Sequence, residues 1–260
     1  MLGYVRIYTP KAKEIVRRIL EKHLEKYSVS HYTDNFLTII DELIKNAVKA
    51  NYKFVLIREE IERYLNNSTN PEKLTIDDIL KDRVLYSKFA SEFINLPEIT
   101  KVVRKALTQE SKVISLKSRA EKEKRKYTPE ERADILGFTE LLDIQRKVKK
   151  YGARVQVRLN EIFNALNIEV MNNAPILNTD LDRIYNKRKE FKAYADRGEE
   201  MMFFIENMDE ADGGAGLGYA TIDAGLRELK TDPFDIVSII SVTNTTILLY
   251  FKESFLKSLV

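Results

Sequence analysis

The sequence predicts an α+β protein: helices come first, and a mostly antiparallel sheet follows that carries the helices on one face. Three observations support this reading. Apolar residues recur at helical intervals through about the first two-thirds of the 260 residues. The period then drops to two over 153–159 and 166–171. Two more apolar, β-branched runs, 234–240 and 246–251, close the chain around a turn.

Taken in order, the first long helix starts at Asp34, a good N-cap residue. It places apolar residues at 36, 39, 40, 43, 47, 54, 57, 61 and 65, mostly three or four apart. Asn66-Asn67-Ser68-Thr69-Asn70-Pro71 stops it. Thr75-Ile76-Asp77-Asp78 opens another helical stretch, with acids in the first turn where the helix dipole favours them, and it ends by Leu96-Pro97. Helical patterns follow over 98–126 and 129–151, the second opened by Thr128-Pro129-Glu130-Glu131. The alternating runs at 153–159 and 166–171 then pair as antiparallel strands. A polar helix over 180–197 precedes the apolar run 201–205, and 220–229 is helical again. Val242-Thr243-Asn244-Thr245 is the turn of the terminal hairpin.

Composition narrows the chemistry. With 44% hydrophobic and 32% charged residues the chain is an ordinary globular one. A net charge of +3, from 43 basic and 40 acidic side chains, gives no reason of its own to invoke nucleic acid. The absence of cysteine excludes disulfides, thiolate metal sites and thiol nucleophiles, and two histidines, His23 and His31, cannot build a three-histidine metal site. No apolar stretch is long enough for a transmembrane helix, and the opening residues lack the apolar core of a secretion signal. The expectation is a soluble, cytoplasmic protein.

Two constellations stand out. Of nine glycines, five lie between Gly213 and Gly225, in Asp212-Gly213-Gly214-Ala215-Gly216-Leu217-Gly218-Tyr219, just before a helix. A glycine loop feeding a helix N-terminus suits a phosphate, because backbone N–H groups and the helix dipole converge there. Tyr219 excludes both a Walker A loop, which needs Lys after its last glycine, and a Rossmann fingerprint, which needs a third glycine at that place. The second constellation is Glu42 and Asn46, four apart on the first long helix beside the apolar stripe 36/40/43/47. Asparagine is a mediocre helix former, so its position here invites a role. A carboxylate beside an amide carbonyl suits a hard cation and a phosphate, with the carboxylate free to activate an attacking group.

Together these residues resemble the GHKL ATPases, the superfamily of the histidine-kinase catalytic domain, the gyrase-type ATPase and the anti-sigma serine kinases. Glu42 and Asn46 match its N-box, and Gly214-Ala215-Gly216-Leu217-Gly218 matches its second glycine box, with the paired strands between them in order. The resemblance implies a two-layer α/β sandwich (the Bergerat-type ATP-binding fold) with an inserted helical region. It implies ATP and Mg²⁺ as ligands: Asn46 would ligand the metal and Glu42 would be the catalytic base. Gly214, Gly216 and Gly218 would hold the phosphates, Asn172 would face the adenine, and Thr245 or Thr246, opening the last strand, would line the adenine pocket. It also divides the chain into N-terminal helices with the N-box helix (1–51), a helical insertion (52–152) and the remainder of the ATP-binding domain (153–260).

The sequence departs from the family in three places. The first glycine box, Asp-x-Gly-x-Gly, falls on Asn172-Asn173-Ala174-Pro175-Ile176. Asn172 can accept a hydrogen bond through its carbonyl but lacks the charge of an aspartate, and Ala174 and Ile176 replace both glycines. About 100 residues separate the N-box helix from the strand at 153, where the family has a short connection. Neither His23 nor His31 precedes an acid, so neither fits a kinase's own phosphoacceptor. These points lead to a histidine-kinase-like signalling protein that phosphorylates a partner in trans; the rival is a regulatory module that keeps the fold and has lost turnover. The insertion suits a dimer or partner-docking surface. Its basic stretches, 112–126 and 146–158, raise nucleic acid as a third reading, against which their low aromatic content counts.

Overall fold

The computed structural model describes residues 2–5, 8–67, 74–93, 97–207 and 217–260. The protein is α+β, mostly helical, with one five-stranded antiparallel sheet in the order β1-β2-β3-β5-β4. The strands are β1 (Leu2–Val5), β2 (Val155–Glu161), β3 (Ala165–Asn172), β4 (Val237–Ser241) and β5 (Thr245–Lys252). Val157 pairs with Val170, and Val170 with Ile247, so one register row crosses three strands. Alternation buries Val155, Val157 and Leu159 of β2, and Ile247, Leu249 and Phe251 of β5, on the same face.

That face receives α2 (Thr33–Asn67), an uninterrupted helix about 52 Å long at 1.5 Å per residue. Phe36, Ile40, Leu43 and Ile44 are buried in its first half and Val55, Ile57 and Ile61 in its second. Phe36 meets Phe251 edge to face with ring centroids 4.9 Å apart, which locks helix to sheet. α1 (Pro10–Glu25), capped by Thr9, packs beside α2 through Val16, Leu20 and Leu24.

The helices between α2 and β2 are α3 (Ile76–Lys81), α4 (Arg83–Phe93), α5 (Pro97–Lys122), α6 (Pro129–Leu136) and α7 (Thr139–Lys150). The single stretch expected after Thr75 is split because Asp82 is extended and its carboxylate accepts from the amides of Val84 (2.8 Å) and Leu85 (3.1 Å), opening α4 as a new helix. The stretch expected over 129–151 is likewise split, with Gly137 ending α6. α4, α5 and α7 all pack on the second half of α2, and Lys147 of α7 pairs with Glu59 at 2.7 Å. Position 51/52 therefore lies inside one helix, and a single apolar core draws side chains from all three stretches of the chain.

The remaining helices are α8 (Asn178–Ala195), α9 (Glu200–Asn207), α10 (Leu217–Glu228), α11 (Pro233–Ile236) and α12 (Glu253–Lys257). The apolar run 201–205 belongs to α9, where Phe203 packs on Phe191 of α8 at 5.3 Å. Residues 234–236 form a helical turn and not the start of a strand, because Asp232 caps the amide of Phe234 (2.8 Å) and Pro233 supplies a helical φ. β1 was not anticipated: four residues carry too little periodicity to register. Among the described residues no helix is long and apolar enough to cross a membrane.

Candidate functional site

α2, α8, α10, the β3 end of the sheet and α4 enclose a cavity of about 360 Å³. Glu42, Asn46, Lys49 and Lys53 recur at four, three and four residues, so one stripe of α2 forms its floor. α10 crosses α2 at this stripe. A β-carbon on Gly218 would stand 2.6 Å from Asn46 Nδ2 and 2.7 Å from Glu42 Oε1, so any side chain here would have to displace the ends of those two residues. Seven residues on, Gly225 plays the same part against Ile39, where a β-carbon would sit 2.9 Å from Cγ1.

Asn46 Nδ2 is buried and has no hydrogen-bond partner among the described residues. An amide left unpaired in this way costs about 1–3 kcal/mol unless a ligand satisfies it. Glu42 pairs with Lys45 of its own turn at 3.6 Å, and its carboxylate faces the same crossing. Lys49 and Lys53 are half-buried and neither makes an ion pair among the described residues. Burial first, then the charges of Lys53 and Arg183, depress the Lys49 ammonium; burial and Arg183 do the same to Lys53, against the pull of Asp180.

The loop after β3 is held by side-chain hydrogen bonds. Asn172 Oδ1 accepts from the Ala174 amide (3.0 Å), and the buried Asn51 of α2 accepts from the Asn173 amide (3.0 Å). Thr245 Oγ1 donates to the Ala174 carbonyl (2.7 Å), while the Ile176 amide donates to Ser241 Oγ (2.8 Å). The amide of Asn172 is thus turned by an Asx-type bond to its own loop, with one carbonyl lone pair still open to a ligand. Val170, Ala174, Ile176 and Ile247 give this end of the cavity apolar walls.

The positions of α8 and α10 around the cavity are fixed from behind. Arg188 of α8 is 1% exposed and donates through Nε to Asp223 Oδ2 of α10 (2.9 Å) and through Nη2 to the Pro233 carbonyl (2.9 Å), its guanidinium lying 4.4 Å from the Phe234 ring centroid. A buried pair so fully hydrogen-bonded sets geometry more than it adds stability.

Of the residues singled out in the sequence, Glu42, Asn46, Asn172 and Gly218 line this one cavity. Gly214 and Gly216 lie outside the described residues. Thr245 lines the cavity and Thr246 does not: alternation along β5 buries the first and turns the second to the other face. Lys49, Lys53, Asn51, Arg183 and Tyr86 were missed by sequence reasoning; the spacing 42/46/49/53 was the available signal for the two lysines. Comparison with known proteins returns no matching family model, no matching curated protein and no matching solved structure.

Proposed function

We propose that the chain is a nucleotide-binding signalling protein of the histidine-kinase-like (GHKL) type, with a Bergerat-type site that takes ATP with Mg²⁺ and transfers phosphate to a partner protein. The observation that supports this best is the buried, unpartnered Asn46 amide beside Glu42 at the Gly218 crossing, in a cavity bordered by unpaired lysines. Among the described residues no cluster of three or more His, Cys, Asp or Glu side chains is placed to hold a metal alone. That donor set fits Mg²⁺ arriving with phosphates: the ion keeps waters and uses few protein ligands, here the Asn46 carbonyl. When bound, the metal would neutralise charge on the phosphates.

The chain's own groups divide the remaining work. Lys49 and Lys53 attract and orient the phosphates, and the first turn of α10 presents its amides to them. Glu42 Oε1 accepts the proton of the partner's acceptor group, or aligns that group for attack. Asn172, Thr245 and the apolar walls receive the base. The helices of 52–152, basic over 112–126, form the docking surface for the partner or for a second copy of the chain. A second reading, a binding module without turnover, draws on the rigid loop at 172–177, where Ala174 and Ile176 replace the family's glycines.

Calorimetry with ATP, with and without Mg²⁺, tests the reading. Wild type is expected to bind only with Mg²⁺, and Asn46→Ala to lose that binding. Glu42→Gln should keep ATP and lose phosphotransfer; a binding module would lose nothing. No binding by wild type at millimolar ATP would end the nucleotide reading.

A further inference from the structure

We infer that the face of the sheet turned away from α2 is the surface through which two copies of this chain pair, with Arg158 of each copy set against Glu169 of the other. The inference is independent of the nucleotide reading. It assigns the second copy to the sheet and leaves the helices between α2 and β2 to other partners.

Strand alternation puts Val157, Val170 and Ile247 on the α2 face, so Arg158, Glu169, Met171, Leu248 and Tyr250 point the other way. β4 adds Ile240, 52% exposed, and β1 adds Tyr4, 54% exposed. Met171, Leu248 and Tyr250 are half-buried, and none of these apolar side chains belongs to either apolar cluster of the described residues. An antiparallel sheet with one face in water ordinarily turns polar and charged residues to that face. This chain is 32% charged, yet the stretches 156–160, 167–171 and 246–250 at the centre of the sheet carry one cation and one anion, Arg158 and Glu169. Arg154 and Lys252 stand at the margins, Arg154 with its guanidinium 4.4 Å from the Tyr4 ring centroid. A charge-poor centre inside a charged rim is the composition of a protein interface.

Charge and size identify the occupant. Arg158 and Glu169 are directly opposite on β2 and β3, with Nη1 3.2 Å from Oε2, and both are partly exposed. A two-fold axis running along the strands between β2 and β3 sets each Arg158 against the other copy's Glu169. It also lays β5 of one copy over β1 of the other, Leu248 towards Tyr4. An axis across the strands would set Arg158 against Arg158, so the pair selects the orientation as well as the partner. Five strands about 4.8 Å apart, with about five residues of each at 3.4 Å, make a plane of roughly 400 Å² per copy. That is on the order of 1,000 Å² of accessible surface for the pair, the lower limit for a specific interface, so the dimer is a weak and reversible one. None of these side chains lines the cavity, which stays open in both copies.

Sedimentation velocity on the full chain over a range of micromolar concentrations tests this. Wild type is expected to pass from monomer to dimer as concentration rises. Leu248→Glu, at an outward position, should weaken the dimer about 10-fold or more. Arg158→Glu and Glu169→Arg should each be monomeric alone, because like charges then meet, and an equimolar mixture of the two should dimerise again. Melting temperatures confirm that all three variants fold, and the rescue on mixing is a result that no folding defect produces. A wild type that stays monomeric throughout overturns the inference. So does a dimer that survives both Leu248→Glu and Arg158→Glu, which would move self-association to another surface. Failure of the mixed variants to associate overturns the pairing of Arg158 with Glu169. Calorimetry with ATP is unaffected by any of these outcomes, so the nucleotide reading stands or falls separately.

Discussion

At the scale of single residues, Gly218 separates stability from function. It sits in the first turn of α10 with Asn46 and Glu42 under it, and the atoms that an added β-carbon would meet are the free ends of those two side chains. Such ends can move, so Gly218→Ala should fold: alanine is worth up to about 1 kcal/mol over glycine in a helix, which offsets the displacement. The melting temperature is expected to stay within about 2–4 °C of wild type. Binding of Mg²⁺-ATP should fall roughly 10- to 100-fold, because a small misplacement of Asn46 and Glu42 spoils the geometry they share. Paired calorimetric and thermal measurements check it; unchanged binding would mean that this crossing is packing alone. Glu42 and Asn46 were legible in the sequence because a polar pair four apart beside an apolar stripe is uncommon enough to notice. Lys49 and Lys53 were not, since lysines are ordinary on helices; what marks them is burial and the want of partners, which only three dimensions reveal. Asn51 and Thr245 do their work by holding a loop from other elements, and no local pattern announces that.

At the scale of elements, the hairpin of β2 and β3 shows where legibility stops. Alternation predicted both strands and their pairing, and the register follows. The turn was silent, because Phe163-Asn164 is no ordinary turn signal. Ile162 and Ala165 exchange two backbone hydrogen bonds of 3.1 Å around it, and Phe163 and Asn164 take φ of +52° and +54°, a type I′ turn. Asparagine tolerates that region and phenylalanine does not, yet the Phe163 ring is 93% exposed and recovers little by packing. Phe163→Asn is therefore expected to stabilise by about 1 kcal/mol, raising the melting temperature by about 2–4 °C. A lower melting temperature would show that the ring makes contacts that matter more than the backbone strain. The same principle explains the helix breaks: Asp82 and Gly137 are single residues whose capping chemistry outweighs the continuous apolar period around them.

At the scale of the whole molecule, α2 makes the helices between α2 and β2 and the sheet one body. Its first half lies on the sheet and its second half is wrapped by α4, α5 and α7, and the apolar core is continuous along it. Between α2 and α5 lies a buried acid, Glu110, to which Tyr52 donates at 3.2 Å. Burial lifts the Glu110 carboxyl from the ordinary 4.5 to about 7, with the Tyr52 bond partly opposing the rise. The folded protein then holds a proton that the unfolded chain releases between those two values. Stability from this group is complete below about pH 4.5 and is lost as pH rises through 7, by an amount on the order of 3 kcal/mol in all. Urea denaturation at pH 6 and pH 8 should show wild type less stable at the higher pH and Glu110→Gln nearly level between them. Because α2 is shared, the loss should appear as one transition displaced as a whole, although Glu110 lies on α5 and is bonded to Tyr52 in the second half of α2, away from the sheet. Two transitions, with only the one reporting 52–152 moving with pH, would show that these helices fold apart from the sheet. A partner or second copy bound to those helices would then have no rigid path through α2 to Asn46 and Glu42.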